Sequence, residues 1–327
     1  MPYIDDANRA LQFGMMKTFD LAIAWNWEFD DDFVSGIEHQ CAVRGISTYR
    51  VDPNNLAETI HNMRSGYLAF RSLFDRASDA DTGFLQLVRL LKQPSVFVIN
   101  PHENVVQAID KSTMHLTLIT NGIHVPNSII LPPFRTNGTV KIQQSDLDRI
   151  GIPFVIKPAN TTGGGTGVVM HARTLNDVLT ARMTHADDTY LVQETIVPQM
   201  LEKKRAWFRA YCIFDENIIC WWDDTTHAYT EMMPDDEQRH GLTGIRDIMK
   251  TIQRACKLDF FSSEIAVTDE RKFIVVDYVN EVCDMRLQSK YANGAPDAVV
   301  HKIEMLIADK VARHTGKPEG MTTGHDY

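Results

Sequence analysis

The first hundred residues alternate short apolar runs with amphipathic stretches, and this alternation restricts the fold more than any other feature of the chain. Residues 21–25 (LAIAW), 46–51, 67–74 and 95–100 are apolar runs of strand length. Helical patterns lie between them. In 32–44, Val34, Ile37 and Cys41 share one face and Gly45 is the stop; Asn54 or Asn55 caps a helix to Met63; residues 84–91 form a third. Strands separated by helices run parallel, because each crossover helix carries the chain back to the same end of the sheet. The expectation is an α/β domain with a parallel sheet covered by helices, and no self-similar period suggests a solenoid.

The alternation stops at 127–138, where Pro126, Pro132, Pro133 and Gly138 punctuate the chain. Beyond it the character changes. Strand patterns at 154–157, 168–171, 190–194, 207–214, 218–222, 264–268 and 273–279 are mostly close enough to pair as hairpins, with helices after Thr174, at 243–256 and at 297–314. This half reads as α+β. The division expected is 16–125 for the first domain, 126–188 and 189–316 for two subdomains, and 317–327 for a loose polar tail.

Composition removes several classes of function. A formal net charge of −10 argues against a general nucleic-acid or anionic-membrane binder, since the average field repels phosphate. No run approaches the roughly 18 apolar residues of a membrane span, and acids near the N-terminus do not fit a signal peptide, so a cytoplasmic location is expected. The five cysteines are scattered without a C-x-x-C pair and read as reduced. There is neither an H-E-x-x-H zinc motif nor a G-x-S-x-G nucleophile elbow.

What remains is a set of residues suited to phosphate. The loop from Thr162 through Gly163, Gly164, Gly165 and Gly167 joins two short strands that a two-residue turn could join. Each glycine costs about 0.5–1 kcal/mol of backbone entropy, so the run is either a plain surface loop or a set of bare N–H groups that fold over phosphate oxygens. Lys157 precedes the loop, and Lys111 and Arg209 are two further candidate cations; each alone reads more often as a solvated surface charge, and together they are the cations a polyphosphate requires. Glu264 and Asp277 sit on two apolar strands of an apparent hairpin, where they are either solvent-facing acids or hard oxygen donors for Mg²⁺ shared with a nucleotide.

Taken in order, these motifs resemble the ATP-grasp superfamily, in its carboxylate–amine or carboxylate–thiol ligase form with a glutathione synthetase-like ATP-binding fold. The likeness runs from about Leu21 to Arg286: Asp110-Lys111, Gly122 to Pro126, Val155-Ile156-Lys157-Pro158 with the glycine loop, Val192-Gln193-Glu194, Arg209, Glu264, and Asp277 with Asn280. The resemblance implies a parallel-sheet domain preceding a two-subdomain ATP-grasp fold, with ATP between the subdomains. It implies that Lys111 and Lys157 contact the nucleotide, that Thr162 to Gly167 closes over the triphosphate, and that Gln193, Glu194, Thr195, Ile196 and Val197 form the adenine-binding hinge. Arg209 is then placed at the γ-phosphate and Glu264, Asp277 and Asn280 at Mg²⁺, with Mn²⁺ as an alternative ion. Asp277 and Asn280 are three residues apart rather than the family's usual two, which requires a bulge or strand end, or Glu281 in place of Asn280.

The reaction so implied is activation of a carboxylate as an acyl phosphate, captured by an amine or thiol with release of ADP and phosphate. Arg286 is the candidate for the acceptor carboxylate, with a surface salt bridge to Asp284 as the alternative. The expected partners are small-molecule carboxylates, amines and thiols, and a second copy of the chain. A phosphotransferase and a non-catalytic ATP-binding module are the competing readings.

Overall fold

A computed structural model describes residues 16–161 and 165–319. The chain divides into two compact units, one formed by residues up to His102 together with those from Asp284 onward, the other by Glu103–Cys283.

In the first unit the alternating runs form a four-stranded sheet in the order Thr48–Val51, Leu21–Trp25, Ser72–Arg76, Phe97–Ile99, with every neighbouring pair parallel. Strand Leu21–Trp25 is central and almost wholly buried, which is why it reads as continuous rather than alternating. Helix Asp31–Val43 buries Phe33, Val34, Ile37 and Cys41 and stops at Gly45, whose φ of +67° suits glycine. The long helix Asp297–Thr315 packs along it, and Arg44 Nε donates to Asp309 Oδ1 at 2.6 Å across that contact.

The apolar run 67–74 is not one strand. Leu68–Phe70 pairs in parallel with Lys17–Phe19, whereas Ser72–Arg76 joins the main sheet. Exposed Arg71 is the pivot: its N–H donates to Phe19 O and its carbonyl accepts from Phe97 N. The continuous apolar pattern hid this turn because both pieces bury their side chains.

The second unit carries two antiparallel sheets. The smaller has the order Ser128–Leu131, Tyr190–Glu194, Phe154–Pro158, Val169–Ala172. Its edge strand Ser128–Leu131 lies inside the proline-flanked stretch that reads as a break, and strand Tyr190–Glu194, beyond the division expected at 188/189, pairs with both Ser128–Leu131 and Phe154–Pro158. Helix Leu175–Thr184 covers it, opened by a reciprocal cap between Thr174 and Asp177. The larger sheet runs Tyr229–Glu231, Glu216–Trp222, Trp207–Ile213, Phe260–Val267, Phe273–Asn280. Helix Gly244–Cys256 presents Ile245, Met249, Ile252 and Cys256 to a core shared with Phe208, Ala210 and Cys212, all from one face of the sheet. The opposite face carries Trp207, Arg209 and Tyr211 by strand alternation.

Among the described residues no helix is long and apolar enough to cross a membrane. The expected loose tail lies outside the described residues from residue 320 onward.

Candidate functional site

On the Arg209 face of the larger sheet, three neighbouring strands place Arg209, Glu264 and Asp277 in one row, because Arg209 is the ladder partner of Glu264 and Glu264 that of Asp277. Arg209 Nη2 pairs with Glu264 Oε1, while the other Glu264 oxygen accepts from Trp207 Nε1 at 3.1 Å. The Arg209 guanidinium also lies over the Trp222 ring, 5.0 Å from its centroid. Burial works against the Arg209 charge, but Glu264 outweighs it and holds the group protonated.

Two lysines reach the same row from elsewhere in the unit. Lys111 is the first residue of helix Lys111–Thr120, fixed there by the Asp110 carboxylate, which accepts from Thr113 N at 2.7 Å and Ser112 Oγ at 2.6 Å. Its Nζ lies 3.3 Å from Asp277 Oδ1. A lysine at a helix N-terminus opposes the macrodipole, an arrangement that makes sense where an anion is to be held. Lys157 is buried on strand Phe154–Pro158 and donates to Val276 O at 3.1 Å. Burial brings its ammonium down to about 8, with Lys111 adding to the fall and Asp277 opposing it. Burial would raise the Asp277 carboxyl, but Lys111, Lys157 and Arg209 together bring it down to about 2.

The three-residue spacing of Asp277 and Asn280 is resolved by the ladder. Glu264 faces Asp277 and Ser262 faces Asn280, so two residues on one strand oppose three on the other and the register shifts between them. Tyr278 and Val279 both enter the core. Asn280, opposite Ser262, therefore returns to the face that bears Glu264 and Asp277. Among the described residues no three His, Cys, Asp or Glu side chains cluster as a metal site by themselves. The two carboxylates and the Asn280 amide oxygen are hard oxygen donors of the kind that suits Mg²⁺, so the residues fit the ion.

The other expected positions are distributed as follows. Thr162, Gly163 and Gly164 lie outside the described residues. Gly165 and Gly167 have φ of +81° and +73°, and a Cβ at Gly167 would come within 2.9 Å of the His185 ring. The chain entering the loop is tied down by buried Asp188, which accepts from Asn160 N at 3.0 Å, Thr161 N at 2.9 Å and Thr161 Oγ1 at 2.6 Å. Gln193 points inward, donating to Ser128 Oγ at 2.9 Å and Tyr278 Oη at 2.7 Å. Glu194 accepts from Asn127 N and Nδ2 at 2.8 and 3.0 Å, and Thr195 donates to Pro153 O at 2.8 Å. Ile196 is half-buried and Val197 exposed. Arg286 belongs to the first unit, where Asp284 takes Nε and Nη2 at 2.6–3.0 Å and the rings of Trp27, Phe29 and Tyr291 surround the guanidinium at 5.2–5.8 Å.

Asp188, Trp207, His115 and Tyr278 were not singled out from the sequence. His115 had a readable signal, since it follows Lys111 by one helical turn on the same face.

No protein-family model matches the sequence, and no curated protein does. Solved structures do. A RimK-domain ATP-grasp protein from Sphaerobacter thermophilus superposes with a TM-score of 0.61 at 18% identity, covering 88% of this chain and 98% of its own. The D-alanine–D-alanine ligase of Bacillus anthracis, complexed with ATP, gives 0.60 at 13% identity over 91% and 99%. The macrocyclase MdnC of Microcystis aeruginosa, bound with its precursor peptide MdnA, gives 0.60 at 11% over 91% and 100%. With a parallel-sheet unit, two antiparallel sheets in the other unit and near end-to-end coverage of these structures, the chain has the ATP-grasp fold.

Proposed function

We propose that this protein is an ATP- and Mg²⁺-dependent ligase that activates a carboxylate as an acyl phosphate and transfers the acyl group to an amine or thiol. The observation that carries the reading is the meeting of Lys111, Lys157 and Arg209 with Glu264 and Asp277 on one sheet face. Three cations around two acids form a site that can take both a triphosphate and a divalent ion. In this reading ATP lies between the two sheets of the second unit, with the 194–197 segment against the adenine, while the Gln193 amide turns inward to Ser128 and Tyr278.

The substrate carboxylate attacks the γ-phosphorus, the bond to ADP breaks, and the amine or thiol then displaces inorganic phosphate from the acyl carbon. Lys111 and Lys157 hold phosphate oxygens, and Arg209 neutralises charge on the transferring group. Glu264, Asp277 and Asn280 are the residues that would hold Mg²⁺, which supplies further neutralisation of phosphate charge when bound. No protein nucleophile is required. The cysteines agree with that: burial pushes the thiols of Cys41, Cys220 and Cys256 up to about 12, far from the thiolate form.

The test is ADP and phosphate release against pools of carboxylates paired with amines and thiols, including amino acids and peptides, since the similar structures include both a D-alanine ligase and a peptide macrocyclase. A ligase yields ADP and free phosphate in equal amounts only when both substrates are present. ADP without free phosphate would assign a phosphotransferase, and no ADP across the pools a binding module.

The ATP site has its own check. Lys157→Ala removes a charge-assisted contact of about 1.5–3 kcal/mol, so ATP affinity by calorimetry at pH 7 should fall roughly ten- to hundredfold. Unchanged affinity would remove Lys157 from the site.

A further inference from the structure

Lys111, Lys157 and Asp277 are carried by three different elements, and one hydroxyl joins the Lys111 helix and the Asp277 strand to the strand that pairs with that of Lys157. Tyr278 is fully buried beside Asp277 on strand Phe273–Asn280. Its hydroxyl lies 2.6 Å from His115 Nδ1 and accepts from Gln193 Nε2 at 2.7 Å. His115 sits one turn after Lys111 on helix Lys111–Thr120. Gln193 is on strand Tyr190–Glu194, where Leu191 is the ladder partner of Lys157. Gln193 Nε2 also donates to Ser128 Oγ at 2.9 Å, and the Lys157 ammonium lies 5.2 Å from the Tyr278 ring centroid. Ordinary strand alternation turns Tyr278 to the face opposite Asp277, and the bulge that follows brings Asn280 back to the Glu264 face.

We propose that Tyr278 is a positioning residue for the nucleotide site: through His115 and Gln193 its hydroxyl fixes the spacing of Lys111, Lys157 and Asp277, while touching neither nucleotide nor metal. The proposal rests on the ATP-site reading above. A phenol buried in an apolar core needs one partner. This one has two, His115 on the helix that delivers Lys111 and Gln193 on the strand paired with the one that delivers Lys157, so removing the hydroxyl loosens these elements from one another by the few tenths of an ångström that separate a set site from a loose one.

Tyr278→Phe keeps the ring and removes one oxygen. In protein shown to be folded by circular dichroism, and well below its melting temperature, the Kd for ATP with Mg²⁺ should rise about ten- to hundredfold, the scale on which small displacements of reacting groups act. Gln193→Met, which keeps the length of the side chain but loses the donor, should shift the Kd in the same direction and serves where Tyr278→Phe does not fold. Asp236→Asn is the control for simple destabilisation: it weakens the bond from Trp221 Nε1 to the buried Asp236 carboxylate elsewhere in the unit, and should lower the melting temperature without moving the Kd. If both network variants bind ATP as the parent does while Lys157→Ala binds weakly, positioning by Tyr278 is overturned and the ATP site stands. If Asp236→Asn weakens binding as much as Tyr278→Phe, the effect is general loss of stability and the proposal also falls. If the parent protein binds no ATP, the site reading and this proposal fail together.

Discussion

Glu264→Gln and Asp277→Asn should each lower Mg²⁺-dependent ATP turnover by about a hundredfold or more, the scale expected for removing one preorganised charge from a phosphoryl-transfer site. The amides keep the shape of the acids and remove a single negative charge. Glu264 and Asp277 are now compensated by Arg209, Lys111 and Lys157, so each amide leaves a surplus of positive charge in a largely buried row. Two effects should therefore separate. The melting temperature of the nucleotide-free protein should fall, because a cation has lost its partner. ATP measured without Mg²⁺ should bind at least as tightly as to the parent, because the triphosphate meets less repulsion. Turnover with Mg²⁺ should collapse, because the ion has lost a ligand. Asn280→Ala is expected to cost turnover as well, since the bulge returns Asn280 to the face of the two acids. Full Mg²⁺-dependent turnover in both amide variants would show that the acids serve only as counter-ions for the lysines and Arg209.

The candidate site is most legible in the sequence where one residue carries its own chemistry. Lys157, Arg209, Glu264 and Asp277 are lone charges on otherwise largely apolar strands, where a buried charge has to meet another, and Lys111 follows the Asp110 that caps its helix. The structure brings these five together. The sequence is less legible where orientation decides. Gln193 sits on a strand paired on both sides, with Val192 and Leu191 buried as deeply as itself, so no alternation marks which way its amide points. Tyr278 reads as an ordinary core aromatic, because its two hydroxyl partners, His115 and Gln193, come from elements distant in sequence. The 67–74 run hid a turn because Arg71 is the single exposed residue between two buried pieces. Strand Ser128–Leu131 was masked by the prolines on either side, which mark the ends of an edge strand as readily as they mark a loop. For Arg286 the sequence offered two partners, a substrate carboxylate and Asp284; the structure shows the guanidinium held by Asp284 in a two-nitrogen grip.

Asp30→Ala should destabilise the protein by about 3–5 kcal/mol, the usual cost of stranding one half of a buried ion pair. Asp30 and Arg76 are each 1% exposed, and both carboxylate oxygens are engaged, by Nε at 2.8 Å and Nη2 at 2.7 Å. The pair sits where it has the most structural leverage. Arg76 ends strand Ser72–Arg76 and Asp30 follows the carboxyl end of strand Leu21–Trp25, the two neighbours between which the chain changes direction across the parallel sheet. The guanidinium also lies over the rings of Phe33 and Phe74, at 5.1 and 5.8 Å, so without Asp30 it stays charged beside aromatic carbons. Against a total stability of about 5–15 kcal/mol such a loss is large, and urea denaturation followed by fluorescence would read it directly. The asymmetry of the pair gives the sharper test. Replacing both partners at once, Asp30→Leu with Arg76→Met, removes two desolvated charges together and should cost clearly less than Asp30→Ala alone. If Asp30→Ala costs under about 1 kcal/mol, in the range of an exposed ion pair, then the pair is reached by water in solution and does not fasten the two strands.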